Sequence, residues 1–156
     1  MKKILVSACL LGYPCRYDGV GKPCQKVIDL GKDNVLIPVC PEQLGGLPTP
    51  RIPSERQFDE NGSPKAVTCL GAVAAGAILM KDGTDVTENY ARGAGIALET
   101  ALKNQVDMAI LKAGSPSCGH GLIYDGSFGG KKVPGNGITA ELLESAGIKV
   151  LSDEEL

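Results

Sequence analysis

Three short apolar runs, each followed by a loop with a cysteine, constrain the fold of this chain more than any other feature. The runs are residues 4–6, Val35–Val39 and Met108–Leu111. The cysteines that follow them are Cys9, Cys40 and Cys118. In an open parallel α/β sheet, ligands bind in the crevice at the carboxyl ends of the strands. If the three runs are neighbouring parallel strands, their cysteines meet there, and we predict a metal or cluster site with one position left open.

Strand patterns alternate with helix patterns along the chain, which predicts an α/β fold with a mostly parallel sheet flanked by helices. We expect a single domain over residues 1–156. Strands are predicted at Lys3–Ser7, Val35–Val39, 108–112 and 148–151. Helices are predicted at 24–30, 88–104 and 140–146, with Thr87 and Thr139 as the N-caps of the last two.

Long loops rich in glycine and proline are expected at the carboxyl ends of the strands. They cover residues 12–23, 45–64 and 119–137. The segment 66–80 fits either a buried helix or two short strands, because its small apolar residues show no clear period. A Tyr-Asp-Gly sequence occurs twice, at 17–19 and 124–126. Two interpretations fit the repetition equally well: two similar loops that cover one site, or a coincidence.

Composition and charge exclude several classes of protein. Hydrophobic residues make up 43% and charged residues 22% of the chain, as in ordinary globular proteins. The net charge of −2 gives no overall attraction to nucleic acid or to an anionic membrane. The longest mostly apolar segment, 69–80, is shorter than the about 20 residues that cross a bilayer. No pattern specifies an oligomeric state.

The cysteines indicate a metal or catalytic role. Cys9 lies too close to the first residue to follow a secretory signal, which runs for roughly 15–30 residues, so we expect a cytoplasmic protein. Disulfides are rare in that compartment, and the 6 cysteines of the chain are better explained as ligands or reactive groups. Cys24 and Cys69 lie in apolar surroundings and fit small buried side chains.

The spacing of the cysteines favours a cluster over a structural zinc site. Soft thiolates select zinc, copper(I) or iron–sulfur clusters. Structural zinc sites usually have paired cysteines two to four residues apart, and no such pair occurs here. Three thiolates on a [4Fe–4S] cluster would leave one iron free to act as a Lewis acid. Cys15 is an alternative third or fourth ligand, because its loop starts just after Cys9.

Two polar residues next to these cysteines are candidates for catalysis. Glu42 follows Cys40 by two residues and could transfer a proton, with a surface carboxylate or a helix cap as the alternative interpretation. Ser115 precedes Cys118 by three residues and could orient a substrate, although Ser-Pro-Ser is also ordinary turn sequence. Arg51 and Lys112 fit either a substrate clamp or a structural ion pair. The single histidine, at position 120, is not assigned as a ligand.

Six motifs together resemble the DUF523 family, which includes the thiouracil desulfidases. The motifs are SACLLG at 7–12, CRYDG at 15–19, CPE at 40–42, GLPTPR at 46–51, DVT at 85–87 and SPSCG at 115–119. They cover nearly the whole chain, and the set is far more specific than any one motif.

The resemblance implies a [4Fe–4S] enzyme that removes sulfur from a thiolated pyrimidine with no net redox change. Cys9, Cys40 and Cys118 would hold the cluster, with Cys15 as the alternative ligand. One iron would have no protein ligand and would take the substrate sulfur. The family's catalytic carboxylate and serine correspond most naturally to Glu42 and Ser115.

Two other functions fit the same cysteines. The first is a zinc-binding or redox-responsive module without turnover. The second is a different open-cluster reaction, such as the dehydration of a hydroxy acid. Zinc without a chromophore would identify the first, and loss of water rather than release of sulfide would identify the second.

Overall fold

A four-stranded parallel sheet forms the centre of the molecule. The computed structural model describes residues 1–58, the backbone of 66–69 and 73–76, and residues 77–156. The central strands are β1 (Lys3–Ser7), β2 (Val35–Val39), β7 (Met108–Leu111) and β10 (Lys149–Ser152). Their order is β10-β7-β1-β2, and every pair is parallel. The prediction of a mostly parallel sheet flanked by helices is confirmed.

The remaining elements are helices and short antiparallel pairs. The helices are α1 (Gln25–Leu30), α2 (Pro41–Leu44), α3 (Thr87–Asn104) and α4 (Ile138–Ser145). The antiparallel pairs are β3 (Ser54–Arg56) with β6 (Ile78–Met80), β4 (Ala66–Cys69) with β5 (Val73–Gly76), and β8 (Leu122–Tyr124) with β9 (Lys132–Pro134). No helix among the described residues is long and apolar enough to cross a membrane.

The central strand β1 is apolar on both faces because both faces are covered. Leu5 packs in one core with side chains of α3 and α4, including Ala101 and Leu143. Val6 packs in the other core with Val27 of α1. Because β2 and β7 flank β1 on either side, the chain that leaves all three strands emerges at one edge of the sheet.

Several predicted boundaries are corrected by long-range pairing. The described parts of segment 66–80 form short strands, which were one of its two predicted structures, and the predicted loops 45–64 and 119–137 contain β3 and the β8–β9 pair. Residues 59–64 of the first loop lie outside the described residues. A strand of three residues carries too little pattern to be recognised until its partner is known. The interpretation of Cys69 as a buried side chain lies outside the described residues.

Neither predicted threonine cap is observed. The residue before α3 is Val86, and the Thr87 hydroxyl donates instead to Asp85 Oδ1 at 2.5 Å. The Asp85 carboxylate also accepts from the Thr87 backbone N–H at 2.9 Å, so an acid two residues earlier satisfies this helix start. The residue before α4 is Gly137, and the carbonyl oxygens of residues 116 and 117 accept from the first N–H groups of the helix.

Helices α2 and α3 pack backbone against backbone. A Cβ atom on Gly93 of α3 would lie 1.8 Å from the Pro41 carbonyl oxygen, and a Cβ atom on Gly45 would lie 1.9 Å from the Asn89 carbonyl oxygen. Only glycine permits this approach. The contact fixes α2, and therefore the cysteine and carboxylate at its start, against α3.

Substitution of Gly93 by alanine is expected to destabilise the protein. Alanine improves helix propensity by about 1 kcal/mol, but the clash with a backbone oxygen outweighs that gain, and we expect a net loss of about 1–3 kcal/mol in the free energy of unfolding. Gly95→Ala is the matched control, because Gly95 lies on the same helix with nothing within 4 Å of the new Cβ atom, and it should stabilise slightly. Urea unfolding measures both. Equal stability of the two variants would contradict the close packing.

Candidate active site

The four predicted thiols line one cavity at the carboxyl ends of the central strands. The cavity has a volume of about 470 Å3 and is lined by Cys9, Cys15, Cys40 and Cys118 among others. Three of these follow β1, β2 and β7, as predicted from the apolar runs. The structure therefore brings the three predicted ligands together, with the alternative ligand Cys15 in the same cavity. We call this space the thiol cavity.

Short local structures hold each thiol at the cavity wall. Cys9 lies in a 3₁₀ turn, Ala8–Leu11, directly after β1. Cys40 is the N-cap residue of α2, with proline at the first helical position, where a missing N–H costs nothing. Cys15 lies at the same wall, and its backbone carbonyl accepts from Arg51 Nη2 at 3.1 Å and from the Cys40 thiol at 3.7 Å.

The surroundings of Cys15, Cys40 and Cys118 raise the pKa of each thiol. A hydrogen bond from Cys40 lowers the pKa of Cys15, but a hydrogen bond with Cys9 and burial outweigh it and raise that pKa to about 11. The hydrogen bond with Cys15 and burial raise the pKa of Cys40. Burial and the negative charge of Glu42 raise the pKa of Cys118 to about 12. Metal binding supplies the positive charge that such thiolates need, so this donor set fits an iron–sulfur cluster.

The loop that carries Cys118 is held by the start of α4. The backbone N–H groups of Gly137, Ile138 and Thr139 donate to carbonyl oxygens of residues 119, 116 and 117, at 2.7, 2.9 and 2.8 Å. A Cβ atom on Gly137 would lie 2.4 Å from the carbonyl carbon of Ser117. The free N–H groups of a helix start therefore bind the loop 115–119 directly, which explains why no threonine cap is needed.

Glu42 is the centre of a hydrogen-bond network beside the thiols. Its Oε2 atom accepts from Arg51 Nη2 at 2.5 Å, and the Arg51 side chain is only 2% exposed. Its Oε1 atom accepts from the Tyr90 hydroxyl at 3.3 Å and from the Ser117 hydroxyl at 3.2 Å. Burial and the charge of Glu42 raise the pKa of Tyr90, so the phenol remains a donor. The carboxylate is thus fixed rather than mobile on the surface.

Ser115 and Ser117 have different surroundings. Ser115 lines the thiol cavity, and its hydroxyl accepts from the Cys118 backbone N–H at 2.7 Å. Ser117 is fully buried, and its hydroxyl lies 3.2 Å from that of Ser115 and 3.6 Å from the Cys118 sulfur. Ser117 therefore connects the predicted serine to Glu42.

Sequence reasoning missed Ser117 and Tyr90. Ser-Pro-Ser offers two equivalent hydroxyls, and nothing local indicates which one faces the carboxylate. Tyr90 is only 2% exposed and packs in an apolar cluster with Ile78 and Ala94. Its one recognisable signal is a phenol hydroxyl on the apolar face of a helix, because a buried hydroxyl of this kind usually has a polar partner.

The other charged candidates serve mainly structural contacts. Arg51, besides Glu42, donates to the carbonyl oxygens of Cys15 and Pro48 at 3.1 and 3.2 Å, so it joins two loops of the site. Lys112 lines the cavity and lies 3.8 Å from Asp153. His120 does not line the thiol cavity, and carboxylates contact both of its ring nitrogens.

Known proteins are similar to this chain over nearly its full length. The chain is 42% identical to the uncharacterized protein YbbK of Bacillus subtilis (strain 168), across 98% of this chain and 97% of that protein. It is also 42% identical to the solved [4Fe–4S]-dependent thiouracil desulfidase TudS, with a TM-score of 0.84, across 100% of this chain and 93% of that one. The family model for 2-thiouracil desulfurase matches residues 4–155. The resemblance inferred from the motifs is confirmed, and the chain belongs to the 2-thiouracil desulfurase family.

Proposed function

We propose that this protein is a [4Fe–4S]-dependent desulfidase that converts a thiolated pyrimidine to its oxo form and releases sulfide. The observation that carries the proposal is the convergence of four thiols and the fixed Glu42 carboxylate in one cavity. Its support outside the structure is the full-length similarity to a solved thiouracil desulfidase.

Cys9, Cys40 and Cys118 would hold the cluster, because each follows one of three adjacent parallel strands. Cys15 lines the same cavity and is the alternative ligand. When bound, the cluster supplies an iron without a protein ligand, a Lewis acid that polarises the thiocarbonyl group of the substrate. Metal-bound thiolates would also carry the negative charge that burial disfavours in the free thiols.

Glu42 and Ser115 would act on the water and the base. Overall, one water molecule adds its oxygen to the ring carbon, and the sulfur leaves as hydrogen sulfide with the two protons, so no electrons are exchanged. Glu42 would take a proton from the water as the oxygen attacks and return it to the departing sulfur. Ser115, at the cavity wall, would orient the ring through its hydroxyl. Arg51 and Ser117 keep the carboxylate in place during this transfer.

Anaerobic reconstitution of the protein followed by incubation with 2-thiouracil tests the proposal. We expect about four irons per chain and equal amounts of uracil and sulfide as products. A reconstituted protein that binds four irons but releases water from a hydroxy acid, and no sulfide, would show the alternative lyase reaction. A protein that takes up only zinc would show a module without turnover.

We further propose that the protein acts in the cytoplasm as a single domain on a small-molecule substrate. The family model spans residues 4–155, which supports one domain over the chain. An open cluster and free thiols are chemically suited to a reducing compartment. The net charge of −2 supports a small ligand rather than a nucleic acid.

A further inference from the structure

The repeated Tyr-Asp-Gly sequence builds two similar loops, and both of its tyrosines line the thiol cavity. The proposed chemistry uses neither Tyr17 nor Tyr124. On sequence alone, the repetition fits a coincidence equally well. In the structure, each loop has an Asp-Gly turn, a cation over its tyrosine ring, and a tyrosine that lines the thiol cavity.

In the first loop, Asp18 and Gly19 form the turn that presents Tyr17. The Asp18 carboxylate accepts from the Val20 backbone N–H at 3.2 Å, and Gly19 has a positive φ of 77°. The Arg16 guanidinium lies over the Tyr17 ring, 5.7 Å from its centre. The turn fixes the backbone, and the cation holds one face of the ring.

In the second loop, Asp125 and Gly126 do the same for Tyr124. The Asp125 carboxylate accepts from the Ser127 backbone N–H at 2.9 Å, and Gly126 has a positive φ of 94°. The cation here is Lys132, whose ammonium lies 5.3 Å from the ring centre. Lys132 is the direct cross-strand partner of Tyr124 in the β8–β9 pair, so the ring and its cation are held by the same ladder.

Both tyrosines are partly exposed, in a protein with few aromatic residues. Tyr17 is 44% exposed and Tyr124 is 36% exposed, although both line a concave site. Aromatic residues make up only 4% of the chain. Single exposed aromatics are common on surfaces, but two held rings that line one cavity provide stacking surfaces for a planar ligand.

The two tyrosines contact different segments of the site. The Tyr17 carbonyl accepts from the Arg51 backbone N–H at 2.8 Å, which ties its loop to the side of the cavity that holds Glu42. Tyr124 lies beside Gly114, where a Cβ atom would be 3.6 Å from Tyr124 Cε2, and Gly114 directly precedes Ser115. Each tyrosine is therefore tied to a segment that carries a proposed functional residue, Arg51 for Tyr17 and Ser115 for Tyr124.

We propose that Tyr17 and Tyr124 bind the planar ring of the substrate by stacking, and so determine the selection of a flat heterocycle. The proposal rests on the proposed desulfidase function and names residues that bind without taking part in proton transfer. Stacking requires only a flat ring and does not read its substituents. It would therefore hold the ring, while Ser115 and the metal centre would set which edge faces the catalytic groups.

Leucine and phenylalanine variants of both tyrosines test the proposal on the reconstituted holoenzyme. For Tyr17→Leu and for Tyr124→Leu, we expect KM for 2-thiouracil to rise about tenfold, while kcat changes less than about twofold. The Kd for uracil, measured by calorimetry, should also rise about tenfold in each variant. Tyr17→Phe and Tyr124→Phe keep the ring and should bind nearly as the wild type does. Tyr13→Leu is the matched control, because Tyr13 lies in the same loop as Tyr17, is 53% exposed and is absent from the cavity lining.

Each outcome bears on the proposal. Unchanged Kd and KM in both leucine variants would overturn it. Phenylalanine variants as weak as the leucine variants would also overturn it, because the hydroxyl and not the ring would then bind. An effect of Tyr13→Leu equal to that of Tyr17→Leu would overturn the role of Tyr17, because both effects would then come from a disturbed loop. If the wild type binds 2-thiouracil without releasing sulfide, the proposed function fails, while the uracil and 2-thiouracil affinities still test the stacking.

Discussion

Replacement of Cys118 by serine is expected to abolish both cluster binding and turnover. The Cys118 thiol is buried in the loop that follows β7, and the backbone of α4 holds that loop in place. A serine hydroxyl is a hard ligand that suits iron–sulfur clusters poorly. We expect iron content after anaerobic reconstitution to fall from about four per chain to near zero, and sulfide release from 2-thiouracil to fall to background. Cys9→Ser and Cys40→Ser should behave in the same way.

Cys24→Ser is the matched control for these variants. Cys24 is half-buried at the start of α1 and packs in the apolar cluster beside β1, but it does not line the thiol cavity. This variant should bind iron and turn over as the wild type does. Cys15→Ser distinguishes the two possible ligand sets. Full iron content in this variant would show that Cys9, Cys40 and Cys118 are the ligands, and a loss of iron would show that Cys15 is a ligand as well. A Cys118→Ser protein with full iron and activity would contradict the proposed site.

The sequence predicts the convergence of the thiols because that convergence depends on local patterns. The runs that form β1 and β7 are continuous and apolar, as expected for strands covered on both faces. The run that forms β2 is also apolar, although β2 is a partly exposed edge strand. Parallel strands end at one edge of their sheet, so the position of each cysteine follows from the end of its strand. The boundaries of Lys3–Ser7 and Val35–Val39 were predicted correctly for the same reason.

The partners of Glu42 could not be predicted because they come from distant segments. Ser117 lies 75 residues away and Tyr90 lies 48 residues away along the chain. No local period reports such contacts. Thr139 illustrates the same limit, because its expected capping role is taken over by loop carbonyls that only the tertiary structure brings to α4.

Glu42→Gln is expected to lose nearly all turnover while the protein keeps its cluster. Glutamine has almost the same shape and can still accept from Ser117 and Tyr90, but it cannot take a proton from water. General acid–base groups contribute about 10²- to 10⁴-fold to the rate, and we expect a fall in kcat within that range. Iron analysis and the visible spectrum of the reconstituted variant should match those of the wild type. Loss of iron together with activity would instead assign Glu42 a role in holding the cluster site.

Glu141→Gln is the control that shows whether the fall in kcat comes only from leaving a buried arginine without its carboxylate partner. Glu42→Gln leaves Arg51 without its carboxylate, and removing one partner of a buried ion pair is strongly destabilising. Glu141 pairs with Arg56 at 2.6 Å, and Arg56, like Arg51, has a side chain only 2% exposed. Because Glu141 is absent from the lining of the thiol cavity, its variant should be destabilised but fully active below its melting temperature. Equal losses of kcat in both variants, measured at a temperature where both are folded, would show that the buried pairing, and not proton transfer at Glu42, sustains the rate.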